Sequence, residues 1–155
     1  MGNLAQEQKW SPAISVNNEV LDREHQGIFE KMNRVAQLNA RLPKKMTLLA
    51  AFDDLIMFTA HHFKDEEAHM EEIGFPKVES HRASHRRLTE ALERHRQEFV
   101  SSVYGRFPSS VFDFFKTWVT SHIMIVDKEY AEFERAKRNE RSAALSEKAE
   151  KPEPK

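Results

Sequence analysis

Residues 48–69 read LLAAFDDLIMFTAHHFKDEEAH. Leu48, Phe52, Leu55, Thr59, His62, Glu66 and His69 alternate steps of four and three, which places them on one face of a helix. The first part of that face is ordinary core. The second part sets an imidazole and a carboxylate where the pattern calls for apolar side chains. Burying such groups costs roughly 2–7 kcal/mol each unless they are hydrogen-bonded or bound to a metal. Thr47 is a candidate N-cap for this helix, and Gly74-Phe75-Pro76 breaks it.

Working outward, three more segments carry the same period. The first is Leu21, His25, Ile28, Met32, Val35, Asn39 and Leu42, with Asp22 in its first turn and Pro43 at its end. The third is Val78, His81, His85, Leu88, Leu92, His95 and Phe99, closing near Tyr104-Gly105 with Pro108 beyond. The fourth is Val111, Phe115, Trp118, His122 and Ile125, predicted to run to about residue 139, with Ser109 or Ser110 as its cap. Four amphipathic helices with short connections predict an all-α chain, an up-down-up-down four-helix bundle. Residues 1–18 lack the period and read as an arm, with Trp10 and Ile14 packing on the bundle. The bundle is expected over 19–141. Residues 142–155 are rich in Ser, Glu, Lys and Pro and are expected to form a disordered charged tail.

The bulk composition narrows the classes. The chain has 155 residues, 39% hydrophobic and 32% charged, which is one soluble domain with its own core. A net charge of -1 gives no reason to expect nucleic acid or an anionic membrane as partner. There is no cysteine, so disulfides, thiolate metal sites and thiol nucleophiles are excluded. The first ten residues hold no apolar run of signal-peptide length, and no stretch reaches the length of a membrane span. A cytoplasmic protein is the expectation.

The polar interruptions fall at one height. In an antiparallel bundle, His25 lies about 16 residues before Arg41, roughly 24 Å from the shared pole. His62 lies about 16 residues after Met46, again roughly 24 Å. His85 stands about 18 residues before Val103, roughly 27 Å, and His122 about 13 after Ser109, roughly 20 Å. His62 and Glu66 share a face, as do His81 and His85. Asp127 is the carboxylate nearest to His122, but a five-residue step turns about 140° in an ideal helix, so the pair needs a long reach or a widened turn.

Five imidazoles and two carboxylates exceed the four ligands of one tetrahedral zinc. Without sulfur they suit iron, and manganese less well. The ferritin-like class would show two Glu-x-x-His motifs, and only Glu66-x-x-His69 is present. Among the other histidines, His61 is turned off the face and is expected in solvent. His69 and His95 read as polar packing away from the cluster. The basic stretch from Arg135 to Arg141 reads as a solvated helix end.

Asp22-Arg23-Glu24-His25, His62-Phe63-Lys64-Asp65-Glu66-Glu67, Gly74-Phe75-Pro76, His81-x-x-x-His85 and Trp118-Val119-Thr120-Ser121-His122-Ile123-x-x-x-Asp127-Lys128-x-Tyr130 together resemble the hemerythrin family, in the layout of its single-domain bacterial members. The resemblance spans roughly residues 8 to 135. It implies two iron ions, one held by His81, His85 and His122, the other by His25 and His62, with Glu66, Asp127 and an oxo or hydroxo group as bridges. It implies reversible dioxygen binding at the iron of His25 and His62, in a dry pocket of Ile28, Phe63, Trp118, Val119 and Ile123. The implied role is non-enzymatic storage, transport or delivery, with an oxygen-consuming enzyme as client. Two other classes remain: a sensor of oxygen, iron or nitric oxide, and a di-iron peroxide or nitric oxide reductase. A sensor would need an output domain and a reductase an acid or base near the open iron; the sequence offers no clear candidate for either.

Two positions depart from the family pattern. Phe75 stands where tyrosine is common, and Val119 stands where a larger aliphatic is frequent. A smaller residue at 119 widens the pocket and admits water. Val119→Leu is therefore expected to slow autoxidation of the air-exposed protein, followed optically; an unchanged rate would contradict that role.

Overall fold

The computed structural model describes residues 8–149. These form a short 3-10 turn, Pro12–Ile14, then α1 (Glu19–Ala40), α2 (Lys45–Ile73), α3 (Val78–Ser101), α4 (Ser109–Ser121), a π-helical segment (His122–Val126) and α5 (Asp127–Ala149). Among the described residues there is no strand. Loops over 41–44, 74–77 and 102–108 are too short to cross the bundle, so successive helices run antiparallel. The fourth rod of the bundle is α4 and α5 joined through the π segment.

The caps follow local chemistry. The side chain of Asn18 accepts from the amides of Val20 and Leu21 at the start of α1. α2 begins at Lys45 without a side-chain cap, so Thr47 does not serve as one. α4 begins at Ser109 and takes no side-chain cap from either serine. Gly74 ends α2 at φ 69°, ψ 40°, and the amides of Gly74 and Phe75 return to Glu71 and Met70.

Two apolar clusters fill the interior. The larger takes Ile28, Met32, Leu48, Phe52, Leu55, Leu92, Phe99, Phe107 and Phe115, with Trp10 of the arm packed against it. Its aromatic centre stacks Phe99 on Phe107 at 4.0 Å and Phe107 on Phe52 at 4.6 Å. The smaller cluster takes Val16, Leu21, Met70, Phe75 and Tyr130. Ile14 of the arm is buried as expected. Asn39 ties α1 to the loop before α4, accepting from the Phe107 amide at 2.8 Å and donating to its carbonyl at 3.1 Å. Across the surface, Arg96 grips Asp53 through two bonds, joining α3 to α2.

Two side chains leave the stripes on which the sequence places them. Leu42, placed on the first stripe, is 67% exposed, because α1 stops at Ala40 and Leu42 turns outward at φ 55°. Ile125, placed on the fourth stripe, is 65% exposed, because the π segment rotates it out of the core. α5 continues to Ala149, into the stretch 142–155 expected as a disordered charged tail. Residues 142–148 are exposed throughout, so packing does not hold them; Ala143, Ala144, Leu145, Glu147 and Lys148 are strong helix formers and extend α5 on propensity alone. The rest of the expected tail, 150–155, and the arm over 1–7 lie outside the described residues.

Gly74 isolates one backbone effect. A Cβ there would meet only the far end of Lys137 at 3.9 Å, so space is not the issue. Gly74→Ala is expected to cost about 1–2 kcal/mol in denaturant unfolding, from the left-handed backbone alone. A loss below a few tenths would contradict the need for glycine.

Candidate metal centre

Each helix delivers its polar residues to the seam between the two apolar clusters. His25 lies between Leu21 and Ile28 on α1. His62 and Glu66 lie between Leu55 and Met70 on α2. His81 and His85 come from α3. His122 opens the π segment and Asp127 follows it. The π turn is the widened turn that the five-residue spacing requires: both residues are buried on one side while Met124 and Ile125 point outward.

All seven side chains are buried. They form two groups of converging ligand atoms. Glu66, His81, His85, His122 and Asp127 make one; His25, His62, Glu66 and Asp127 make the other. The two carboxylates belong to both. Asp127 divides its oxygens, Oδ1 lying 3.2 Å from His81 Nε2 and 3.1 Å from His122 Nε2, and Oδ2 lying 3.3 Å from His25 Nε2. Glu66 Oε2 lies 3.0 Å from His85 Nε2, 3.4 Å from His81 Nε2 and 3.7 Å from His62 Nε2. His85 Nε2 and His122 Nε2 approach to 3.1 Å.

These approaches do not satisfy the groups. Among the described residues, both oxygens of Glu66, both of Asp127, both nitrogens of His25 and Nε2 of His81 find no hydrogen-bond partner, although they are shut from solvent. Buried polar atoms are almost always paired. Imidazole and carboxylate donors pointing at common centres without pairing one another are the arrangement a metal ion completes.

The outer nitrogens of two imidazoles are held from behind. Nδ1 of His62 donates to Glu24 Oε2 at 2.9 Å, and Nδ1 of His85 donates to Glu67 Oε1 at 2.7 Å. That fixes the proton on Nδ1 and leaves Nε2 free to ligate. Arg82 in turn holds Glu67 at 3.2 Å and also bonds Glu71 and Glu79. Ser84 stands 3.5 Å from Nδ1 of His122. Sequence reasoning assigned Glu24 and Glu67 no role. Each is adjacent in the chain to a predicted ligand, but each sits off the apolar stripe, where acids are ordinary.

Electrostatics follow from burial and crowding. Burial opposes charge on Glu66, yet His62, His81 and His85 hold it well below the usual carboxylate range. Asp127 is lifted by burial and by Glu66, but His122, His25 and His81 outweigh them and leave it lowered. Burial works against the His81 cation, and the nearby Asp127 and Glu66 overcome it, raising His81 to about 9. For His122 burial prevails, with His85 and His81 adding to it, and the group falls to about 4. Tyr130 is fully buried, its ring 5.9 Å from that of His81; burial, then Glu66 and Asp127, push its phenol far up.

The remaining histidines behave as expected. His61 has a side chain 72% exposed. His69 pairs with Glu134 at 3.0 Å, and His95 lies beside Glu98 at 3.3 Å. The five expected pocket residues, Ile28, Phe63, Trp118, Val119 and Ile123, are all buried in the larger apolar cluster. Phe63 stacks on His85 with ring centroids 3.8 Å apart.

A helical bundle with two shared-carboxylate ligand groups is a metal-binding architecture. Residues 16–133 match the Hemerythrin HHE cation binding domain, and the chain belongs to that family. A bacteriohemerythrin of Campylobacter jejuni is 35% identical over 80 residues, which is 52% of this chain and 60% of that protein. The myohemerythrin of Riftia pachyptila is 28% identical over 124 residues, covering 78% of this chain and 88% of its own length. The crystal structure of a wild-type hemerythrin superimposes with a TM-score of 0.74 at 25% identity, over 82% of this chain and 97% of the other. The family is described as a cation-binding domain, and the cluster here has the donors to hold metal.

Two outcomes follow. In chelator, the raised His81 stabilises the fold below its unfolded value of 6.5, and that contribution is lost as pH rises through about 9. The lowered Glu66, Asp127 and His122 stabilise above their unfolded values and lose their contribution in acid, His122 through about 4. Denaturant unfolding in chelator should therefore show stability falling from pH 6.5 to 9 as well as in acid; a flat profile above pH 6.5 would contradict the buried imidazolium. Separately, Glu67→Gln is expected to weaken metal retention against a chelator roughly 10- to 100-fold, and unchanged retention would remove Glu67 from the site.

Proposed function

We propose that the chain binds dioxygen reversibly at a non-haem di-iron centre, for storage, transport or delivery to an oxygen-consuming enzyme in the cytoplasm. His81, His85 and His122 would hold one iron and His25 and His62 the other, with Glu66 and Asp127 shared by both ligand groups. The observation that carries the reading is the unequal division of ligands around shared carboxylates: five protein ligands converge on one side and four on the other. Imidazole and carboxylate without thiolate suit iron. Such a pair of irons would supply two electrons to dioxygen and recover them on release.

The protein's own residues set the conditions. Glu24 and Glu67 aim the imidazoles of His62 and His85 inward. The shorter ligand set, on the side of His25 and His62, is where a small exogenous molecule can join. Ile28, Phe63, Trp118, Val119 and Ile123, all buried in the larger apolar cluster, would form the apolar wall of the oxygen pocket. An apolar wall excludes water, which otherwise supplies protons and competes for the open position. In that wall Trp118 would supply the indole donor, its Nε1 being buried without a partner among the described residues.

Repeated cycles of air and vacuum on the reduced, iron-loaded protein test the proposal. A visible band that appears in air and vanishes under vacuum over several cycles, with no net oxygen uptake, is the expected result. Steady consumption of oxygen, or rapid turnover of added peroxide, would replace it with a redox enzyme.

A further inference from the structure

A second group of ligand atoms lies outside the buried centre. Nδ1 of His61, a carboxylate oxygen of Asp65 and one of Glu24 all fall within 4.8 Å of one another. His61 and Asp65 are four apart on α2, and Nδ1 of His61 lies 3.3 Å from Asp65 Oδ2. Glu24 reaches across from α1, its Oε1 3.9 Å from the same nitrogen. Ligand atoms about 2.1 Å from a common ion and roughly 90–110° apart stand about 3.0–3.4 Å from one another, so this spacing needs only a small side-chain adjustment.

Two further observations point to a cation. First, among the described residues neither Glu24 nor Asp65 makes an ion pair with lysine or arginine; their partners are His61, His62 and each other. Two carboxylates thus crowd together with one imidazole between them. Second, Glu24 is not a freely moving surface acid. Its Oε2 is fixed by Nδ1 of His62 at 2.9 Å, which presents Oε1 outward toward the cluster, and its side chain is only 14% exposed. A positioned carboxylate, an imidazole and a second carboxylate are a three-ligand set with room for water, the pattern of an open site for a first-row divalent ion.

We propose that Glu24, His61 and Asp65 form a surface site for a divalent first-row cation, such as zinc or ferrous iron. It stands one carboxylate away from the buried centre: Glu24 ligates outward and orients His62 inward. The site uses no residue of the buried ligand set and does not depend on which metal that set holds.

Equilibrium dialysis of the purified, metal-loaded protein against zinc, with iron and zinc counted in the same samples, tests it. The wild type is expected to take up one zinc per chain beyond its buried metal. His61→Ala and Asp65→Asn are each expected to weaken that uptake about tenfold or more while leaving iron content unchanged. Absence of the extra zinc at millimolar concentration, or uptake untouched by both substitutions, would overturn the site and leave His61 as a simple ion-pair partner. Loss of iron alone bears on the buried centre and is read separately.

Discussion

Glu66 and Asp127 are completely buried, and among the described residues their close charged partners are histidines alone. That constraint governs the rest of the molecule. Two carboxylates taken out of water a few ångströms apart carry a penalty of several kcal/mol each unless positive charge is brought to them. Protons on the imidazoles can supply only part of it, since His81 retains a proton readily whereas His122 is driven toward neutrality. Metal ions would supply the remainder through the same lone pairs. Metal binding and folding are then linked, because the unfolded chain holds no such preformed site.

The apolar architecture serves this layer. One cluster of aromatic and aliphatic residues lies on the side of Phe52 and Phe115, another on the side of Met70 and Tyr130. Between them water is excluded, so the ligand groups interact in a medium of low polarity. The largely buried acids Glu24 and Glu67 stand at its edge, linking buried imidazoles to the surface network around Arg82 and His61. The centre is therefore buried on the ligating side and wired to solvent on the outer side.

Much of this was legible in the chain. The alternation of three and four residues gave four helices, and histidines at equal heights gave one cluster instead of scattered polar residues. The step from His122 to Asp127 called for a widened turn, and a π segment lies there. What the pattern could not carry was local geometry off the stripe. Ile125 continues an ideal α-helical face but is expelled by that same π turn. Glu24 and Glu67 look like ordinary surface acids until the helices are packed. The helical stretch after Arg141 escaped because absence of an apolar stripe reports on packing, whereas Ala, Leu, Glu and Lys favour helix without it.

One pair of carboxylates, Glu66 and Asp127, would thus serve two metal ions. Diffraction from crystals of the iron-loaded protein, with anomalous maps recorded on either side of the iron absorption edge, tests it most directly. Two iron peaks are expected, one among His81, His85 and His122 and one between His25 and His62, both within bonding distance of Glu66 and Asp127. A single peak, or a metal that ignores either carboxylate, would contradict it.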